Sequence, residues 1–355
     1  MEEMSDGETG EPASKGWLIR CLVLGLPLGL ILMGAGSIVV TQFRANETPR
    51  DPNESLRMEA ASLGRKPVNQ PDLERYLRVL TETIGERHLG VPEKLEQAAV
   101  WIESTLRGGN IGYTVERHVY TVGGREVRNL VAELPGGKRR DEIVVIGAHY
   151  DTVPGTPGAN DNGTGVAALL SLARAFAGDG QERTIRFVAF VNEEPPHFHT
   201  DTMGSLVYAK RCRSRDENIV AMLALETIGC FSDEEGSQQI PPGLPGGFPT
   251  TGNFLVFVAN EPSRFFADRA EAAFRSGSGL PAVAGAFPEE VPGVGWSDHW
   301  SFWQAGYPAV MVTDTAPFRY PHYHEPTDTI DKLDLERYTR AVEGLKKVIE
   351  EWASP

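Results

Sequence analysis

EIVVIGAHYD, from Glu142 to Asp151, holds an unbroken apolar run from Ile143 to Ala148 and then stops on His149 and Asp151. The run is short, β-branched and flanked by polar residues, so it reads as a strand buried on both faces. Two further stretches repeat the pattern. TIRFVAFVNEE ends on Glu193 and Glu194, and AMLALETIG carries Glu226 at its end. Helical patterns lie between them, from Gly163 to Ala177 and again after Gly204. Strands that alternate with helices predict an α/β sheet covered on both faces.

The alternation continues in both directions. Upstream, helical faces run from Asp72 to Ile84 and from Pro92 to Leu106, the second followed by Gly108-Gly109, and strand-like YTVERHVYTV and EVRNLVAEL follow. Downstream come NFLVFVAN, a helix from Pro262 to Arg275, a helix near Trp300, the strand PAVMVTD and a closing helix from Leu333 to Trp352. The Gly-, Pro- and Ser-rich stretch Ser232 to Thr251 is expected to be a surface loop bordering the site.

Before this body stands CLVLGLPLGLILMGAGSIVV, Cys21 to Val40, uncharged and close to the ~20 residues that span a bilayer. Lys15 and Arg20 precede it and Arg44 follows, so the basic residues favour a cytosolic amino terminus. The expected organisation is a tail over 1–16, a transmembrane signal-anchor over 17–43, a polar linker over 44–67 and a catalytic domain over 68–355 outside the cytoplasm. A cleaved signal peptide and secretion form the alternative, although the acidic run Glu2 to Glu11 makes a poor n-region. Acidic residues outnumber basic ones 49 to 34 among 355, which leaves no basic track for nucleic acid. Cys212 and Cys230 fall at opposite ends of a predicted strand–helix unit, beyond disulfide reach, and are expected to be free thiols.

The ionisable residues at the strand ends carry the chemistry. In an open α/β sheet that edge is where ligands bind, so His149, Glu193, Glu194 and Glu226 converge there from distant parts of the chain. Adjacent Glu193 and Glu194 point to opposite sides of an extended segment, so one can bind a metal while the other reaches its water. Alone, such a pair is an ordinary acidic loop. Asp151, two residues past His149, lies on the same side and can take the imidazole's second N–H. Asp161, in PGANDNGTG before a helix, can face two cations or simply cap the helix. One of His322, Tyr323 and His324 is expected to complete the site, and a Tyr there can stabilise an oxyanion.

GAHYDTVPGTPGANDNGTG, VNEE, and SDH followed by PHYHEPTDT together resemble the zinc aminopeptidases of peptidase family M28, over about Asp141 to Asp331. The family includes leucine aminopeptidases, glutamate carboxypeptidases, glutaminyl cyclases and a catalytically silent receptor. The resemblance implies a mixed, mainly parallel sheet and two zinc ions, with cobalt or manganese also suited to the donors. It implies that Asp161 bridges them, with Glu194 and His324 on one and His149 and Glu226 on the other. By the same resemblance Glu193 is the general base, Tyr323 the oxyanion donor and Asp151 the support of His149, and the Asp161–Asn162 peptide is cis. The implied substrates are peptides with a free amino terminus. Glu226 departs from the family's usual Asp, which bears on the second metal.

Beyond that set, His197 and His199 in PPHFHTDTM have a metal-like spacing but read as a rim loop. Asp298 and His299 are expected either to support the site or to form a cap with a buried His. Trp296, Trp300, Phe302 and Trp303 belong to a pocket or the core, and Arg319 to the surface or a substrate carboxylate. A glutaminyl cyclase with one zinc and a non-catalytic receptor domain are the competing functions. The complete ligand set argues for hydrolysis.

Overall fold

In the computed structural model, residues 67–108, 113–244 and 247–354 are described. The tail, the anchor and all of the linker before Pro67 lie outside them. No helix among the described residues is long and apolar enough to cross a membrane.

Helix α1 (Gln70–Arg78) opens the domain, with the Asn69 side chain accepting from the Asp72 amide, and passes into a wider π turn at Val79–Ile84. Helix α2 (Pro92–Arg107) starts on its proline, whose missing N–H costs nothing in a first turn. Then come β1 (Val115–Val122), β2 (Arg125–Leu134), β3 (Arg139–His149), α3 (Gly165–Phe176), β4 (Arg183–Phe190), α4 (Gly204–Ser214) and β5 (Ile219–Glu226). The chain ends through β6 (Leu255–Ala259), α5 (Arg264–Ser278), β7 (Ala282–Ala286), α6 (His299–Gln304), β8 (Ala309–Thr313) and α7 (Leu335–Ala353).

The strands form one sheet in the order β1-β2-β4-β3-β5-β8-β6-β7. Its centre, β4-β3-β5-β8, is parallel, while β1-β2, β2-β4 and β6-β8 pair antiparallel. The sheet is therefore mixed and mainly parallel, as expected. Strand β7, paired parallel to β6, was not anticipated, because AVAGA lacks the β-branched density that marked the others.

Each central strand feeds two cores. Val144, Ile146 and Ala148 of β3 face the larger one with α1, α2, α3, α5 and α7, and Ile143 and Val145 face the smaller one with α4 and α6. This two-sided burial is why the strands read as continuous apolar runs. The chain leaves β3 for β4 on one side and then reaches β5 on the other, so the crevice at the carboxyl ends of these strands is a topological switch point. Cys212 and Cys230 are free thiols.

Gly204 locks α4 against the end of β4. Its N–H donates to the Val191 carbonyl at 2.8 Å, and Asn129 spans the junction by donating to the Gly204 carbonyl and accepting from the Val191 amide. A Cβ at Gly204 would stand 2.2 Å from the Val191 oxygen. Backbone cannot yield as a flexible side chain does. Gly204→Ala should therefore cost about 1–3 kcal/mol of stability, read as a lowered urea midpoint. An unchanged midpoint would contradict this packing.

Candidate metal centre

Each donor reaches the crevice from its own strand end. His149 closes β3, Glu193 and Glu194 follow β4, Glu226 closes β5, Asp161 sits in the turn at Ala159–Thr164, and His324 lies between β8 and α7. Three non-glycine residues in the left-handed region mark these points: Asn192 (φ 60°) before the Glu pair, Thr227 (φ 44°) after Glu226, and His324 itself (φ 61°). Such backbone is uncommon away from glycine, and for a β-branched Thr it is strained.

The geometry centres on Asp161. Its Oδ1 is 3.3 Å from His149 Nε2 and its Oδ2 is 3.1 Å from His324 Nε2. His149 Nε2 is also 3.3 Å from Glu226 Oε2, and His324 Nε2 is 3.4 Å from Glu194 Oε2. Two donor sets result, His149–Asp161–Glu226 and Asp161–Glu194–His324, each with ligand atoms within 4.8 Å of one another. Glu193 Oε2 is 3.9 Å from His149 Nε2, and by distance alone His149, Glu193 and Glu194 form a third set. His324 keeps 33% of its side chain exposed, against 1% for His149, 4% for Asp161 and 5% for Glu194. The Asp161–Asn162 peptide is cis, as the resemblance implied.

These groups fit zinc. Imidazole and carboxylate donors are its usual ligands. His324 Nε2 and Glu194 Oε1 are buried with no hydrogen-bond partner among the described residues, which a cation would supply.

The electrostatics agree. Burial pushes Glu193 well above the usual carboxyl range, raises Glu226, and together with the charge of Asp161 lifts Glu194 to about 8. Burial alone would lower both imidazoles. The charges of Glu226 and Glu193 hold His149 well above its ordinary value instead, and the adjacent carboxylates of Asp161 and Glu194 raise His324 to about 10. Against its own burial, Asp161 is lowered by the adjacent imidazoles of His149 and His324. Burial and the surrounding carboxylates raise the Tyr323 phenol well above 10, which keeps it an O–H donor. Its ring stacks on His324 at 3.8 Å.

Asp151 has a different contact from the one expected. Its carboxylate accepts the backbone N–H groups of Glu193 and Glu194, each at 3.1 Å, while His149 Nδ1 lies 3.3 Å from the Asp151 carbonyl and 3.7 Å from the carboxylate. It therefore orients the Glu pair as well as the imidazole. Asp328 does the same for the Asp161 turn, accepting from the Asn160 and Asp161 amides and the Tyr320 hydroxyl. Asn162 donates to the Leu225 carbonyl and accepts from the Gly165 and Thr227 amides, tying the Asp161 turn to the end of β5. Ser297 Oγ donates to Glu226 Oε2 at 2.6 Å.

Arg87 escaped the sequence reading. Fully buried, it donates to the carbonyls of Leu80, Gly85, Tyr150, Pro157 and Gly158, so one guanidinium holds both loops that flank His149 and Asp161. Burial brings it down to about 10, still a cation at neutral pH.

The remaining candidates separate cleanly. His197 meets Thr202, and His199 stacks between Phe198 and Trp300 and contacts the Gly295 carbonyl, so both are rim residues. His322 pairs with Thr327. Asp298 is fully buried and pushed by that burial to about 7, and His299 contacts the Val294 carbonyl. Phe302 and Trp303 are core, whereas Trp296 is 45% exposed. Arg319 is not a surface residue. It is buried, donating to Gln238 and to the Cys230 and Phe254 carbonyls.

The family model for Peptidase family M28 matches residues 129–349. The chain is 34% identical over 282 residues to protein YfbL of Escherichia coli (strain K12), covering 77% of this chain and 85% of that one. It is 30% identical over 217 residues to aminopeptidase YwaD of Bacillus subtilis (strain 168), covering 58% of this chain but only 40% of that relative. Among solved structures, a zinc aminopeptidase from Bacillus subtilis superposes with TM-score 0.64 at 16% identity, over 81% of this chain and 96% of that one. A glutaminyl cyclase from Fimbriiglobus ruber superposes with TM-score 0.59 at 21% identity, over 81% and 97%. These two structural likenesses establish the fold.

Because Glu194 is raised to about 8 and His324 to about 10, both carry protons at neutral pH until a cation displaces them. Ligands bind metal only when deprotonated, so zinc uptake should release protons and its affinity should rise with pH through the neutral range. Calorimetric titration near pH 7 in buffers of different ionisation enthalpy measures this. An apparent enthalpy independent of buffer would contradict the assignment.

Proposed function

The chain belongs to peptidase family M28, and from that premise we propose that it is a two-zinc exopeptidase of the aminopeptidase type, releasing the first residue of peptides whose amine is free. The observation that carries the reading is the position of Asp161, with one oxygen against His149 and the other against His324, each beside a further carboxylate. His149 and Glu226 would hold one ion, Glu194 and His324 the other, and Asp161 both.

Zinc bound there supplies Lewis acidity toward water and the scissile carbonyl. The chain supplies the proton traffic. Glu193, anchored through its backbone by Asp151 and raised in proton affinity by burial, takes a proton from the attacking water and delivers it to the leaving amine. Tyr323, kept protonated, donates to the oxyanion that forms on the former carbonyl. Asp151 and Asp328 keep the Glu pair and the bridge in register by holding their amides.

The apolar segment within residues 17–43 extends this reading to a membrane-anchored enzyme with its catalytic domain outside the cytoplasm, supported by the length and lack of charge from Cys21 to Val40. Intact mass of the protein recovered from washed membranes checks it. Recovery in the soluble fraction with a mature start near Arg44 would replace the anchor with a cleaved signal.

Glu193→Gln keeps the shape of the side chain and removes its basicity. It should lower kcat by at least about 100-fold while the protein still binds about two zinc ions, with rates read on aminoacyl-nitroanilides and metal by elemental analysis. A variant as active as the wild type, or activity indifferent to chelation, would refute the mechanism. Pyroglutamate formation from an amino-terminal Gln peptide without hydrolysis would assign the cyclase reaction instead.

A further inference from the structure

Between Gly229 and β6 the described chain runs as two arms of one loop, 230–244 and 247–254. Among the described residues these arms hold no helix or strand, and one bridge, Glu235 with Thr251, joins them as a ladder would. Irregular connections of this length in a compact domain commonly carry function. Gln238, Ile240, Leu244 and Phe248 line a cavity beside the metal centre, and Glu226 and Tyr323 line it too. The loop expected to border the site therefore does so.

Arg319 grips this loop at three points. Its Nη1 donates to the carbonyls of Cys230 and Phe254, where the arms begin and end, at 3.1 and 2.7 Å, and its Nε donates to Gln238 Oε1 at 2.7 Å. The guanidinium also lies over the Phe254 ring, 4.7 Å from its centroid. Gln238 passes the hold onward. Its Nε2 donates to Thr315 Oγ1 at 2.8 Å, and the Gln239 amide donates to the Phe318 carbonyl at 2.8 Å, which fastens the loop to the segment leading to Tyr323. One planar fork meets three acceptors from separate stretches of chain, which a single ammonium on a flexible stem does not reproduce. Both side chains are buried, so water replaces these bonds poorly.

The metal donors and the Tyr323 segment have other supports. Asp314 accepts from the Asn160 side chain and from the Cys230 and Ala316 amides, and Asp328 accepts from the Asn160 and Asp161 amides and the Tyr320 hydroxyl. Loss of the contact between Arg319 and Gln238 would release the loop and leave those groups fastened.

We infer that Arg319 and Gln238 are positioning residues, which hold the two arms in the shape that meets the substrate. The inference rests on the aminopeptidase reading for the identity of the ligand. A wall that is already ordered loses little conformational freedom when ligand arrives, whereas a released one must be ordered at the expense of affinity. The chemical step depends on Glu193, Tyr323 and the donors, and it is spared.

The test separates binding from turnover. Zinc-replete Gln238→Met and Arg319→Met should each raise KM for aminoacyl-nitroanilides, and weaken leucine hydroxamate in calorimetric titration, by about tenfold, with kcat within about threefold of the wild type. The double variant should be no worse than the worse single one, because the two side chains act through one contact. Amide hydrogen exchange should quicken over 230–244 and 247–254 and stay unchanged in β3 and β5. Residues with a merely structural part would lower the active fraction, and so kcat, without moving KM. That result, effects that multiply in the double variant, or unaltered exchange in the arms overturns the inference, and Gln238→Met alone decides if Arg319→Met does not fold. If the wild type cleaves no nitroanilide or peptide while hydroxamate binding and exchange shift as stated, the hydrolase reading fails and the positioning role stands.

Discussion

Among the described residues, the carboxylates of Asp151, Asp161, Glu193, Glu194, Glu226, Asp298 and Asp328 are buried at one edge of the sheet, with His149, His324 and Arg87 to answer them. Withdrawing that much like charge from water is unfavourable unless cations or protons neutralise it. Before metal binds, protons serve, as the upward shift of the carboxyl groups and imidazoles by burial and mutual charge implies. The site is therefore built around charge that the chain leaves to be supplied.

What keeps the repelling groups in place is backbone chemistry rather than side-chain packing. Asp151 accepts two main-chain amides, Asp328 two amides and the Tyr320 hydroxyl, Asn162 clamps two segments, and the Arg87 guanidinium binds carbonyls alone. A carboxylate that accepts an amide on each oxygen has both oxygens engaged and its orientation fixed, so it stands beside the metal donors in a set position. The left-handed residues Asn192, Thr227 and His324 turn each segment at the point where a donor must leave its strand direction. Strain of this kind persists only where surrounding bonds over-determine it, as they do here.

Most of the fold was legible because β3, β4 and β5 are buried on both faces, and continuous apolar runs bounded by helical periodicity admit few other readings. The donors were legible because they close those runs. Strand β7 was hidden by its alanines and glycine, and the supporting layer was hidden for a different reason. Asn160, Asn162, Asp314 and Asp328 were not singled out in sequence, since most of their partners are main-chain groups that leave no mark there. Arg87, in GERHLG, carries no motif that marks it. Only the tertiary fold reveals that five carbonyls surround it.

The uneven shielding of the two imidazoles has a kinetic consequence. His149 is sealed behind its neighbours, whereas a third of His324 faces solvent from an irregular loop. A cation on the His324 side can be exchanged stepwise with incoming water or chelator, but one on the His149 side must wait for a local opening of the crevice. On the proposed two-ion reading, depletion would proceed in order, passing through a half-loaded species that keeps the deeper ion, and refilling would reach the shallower position last.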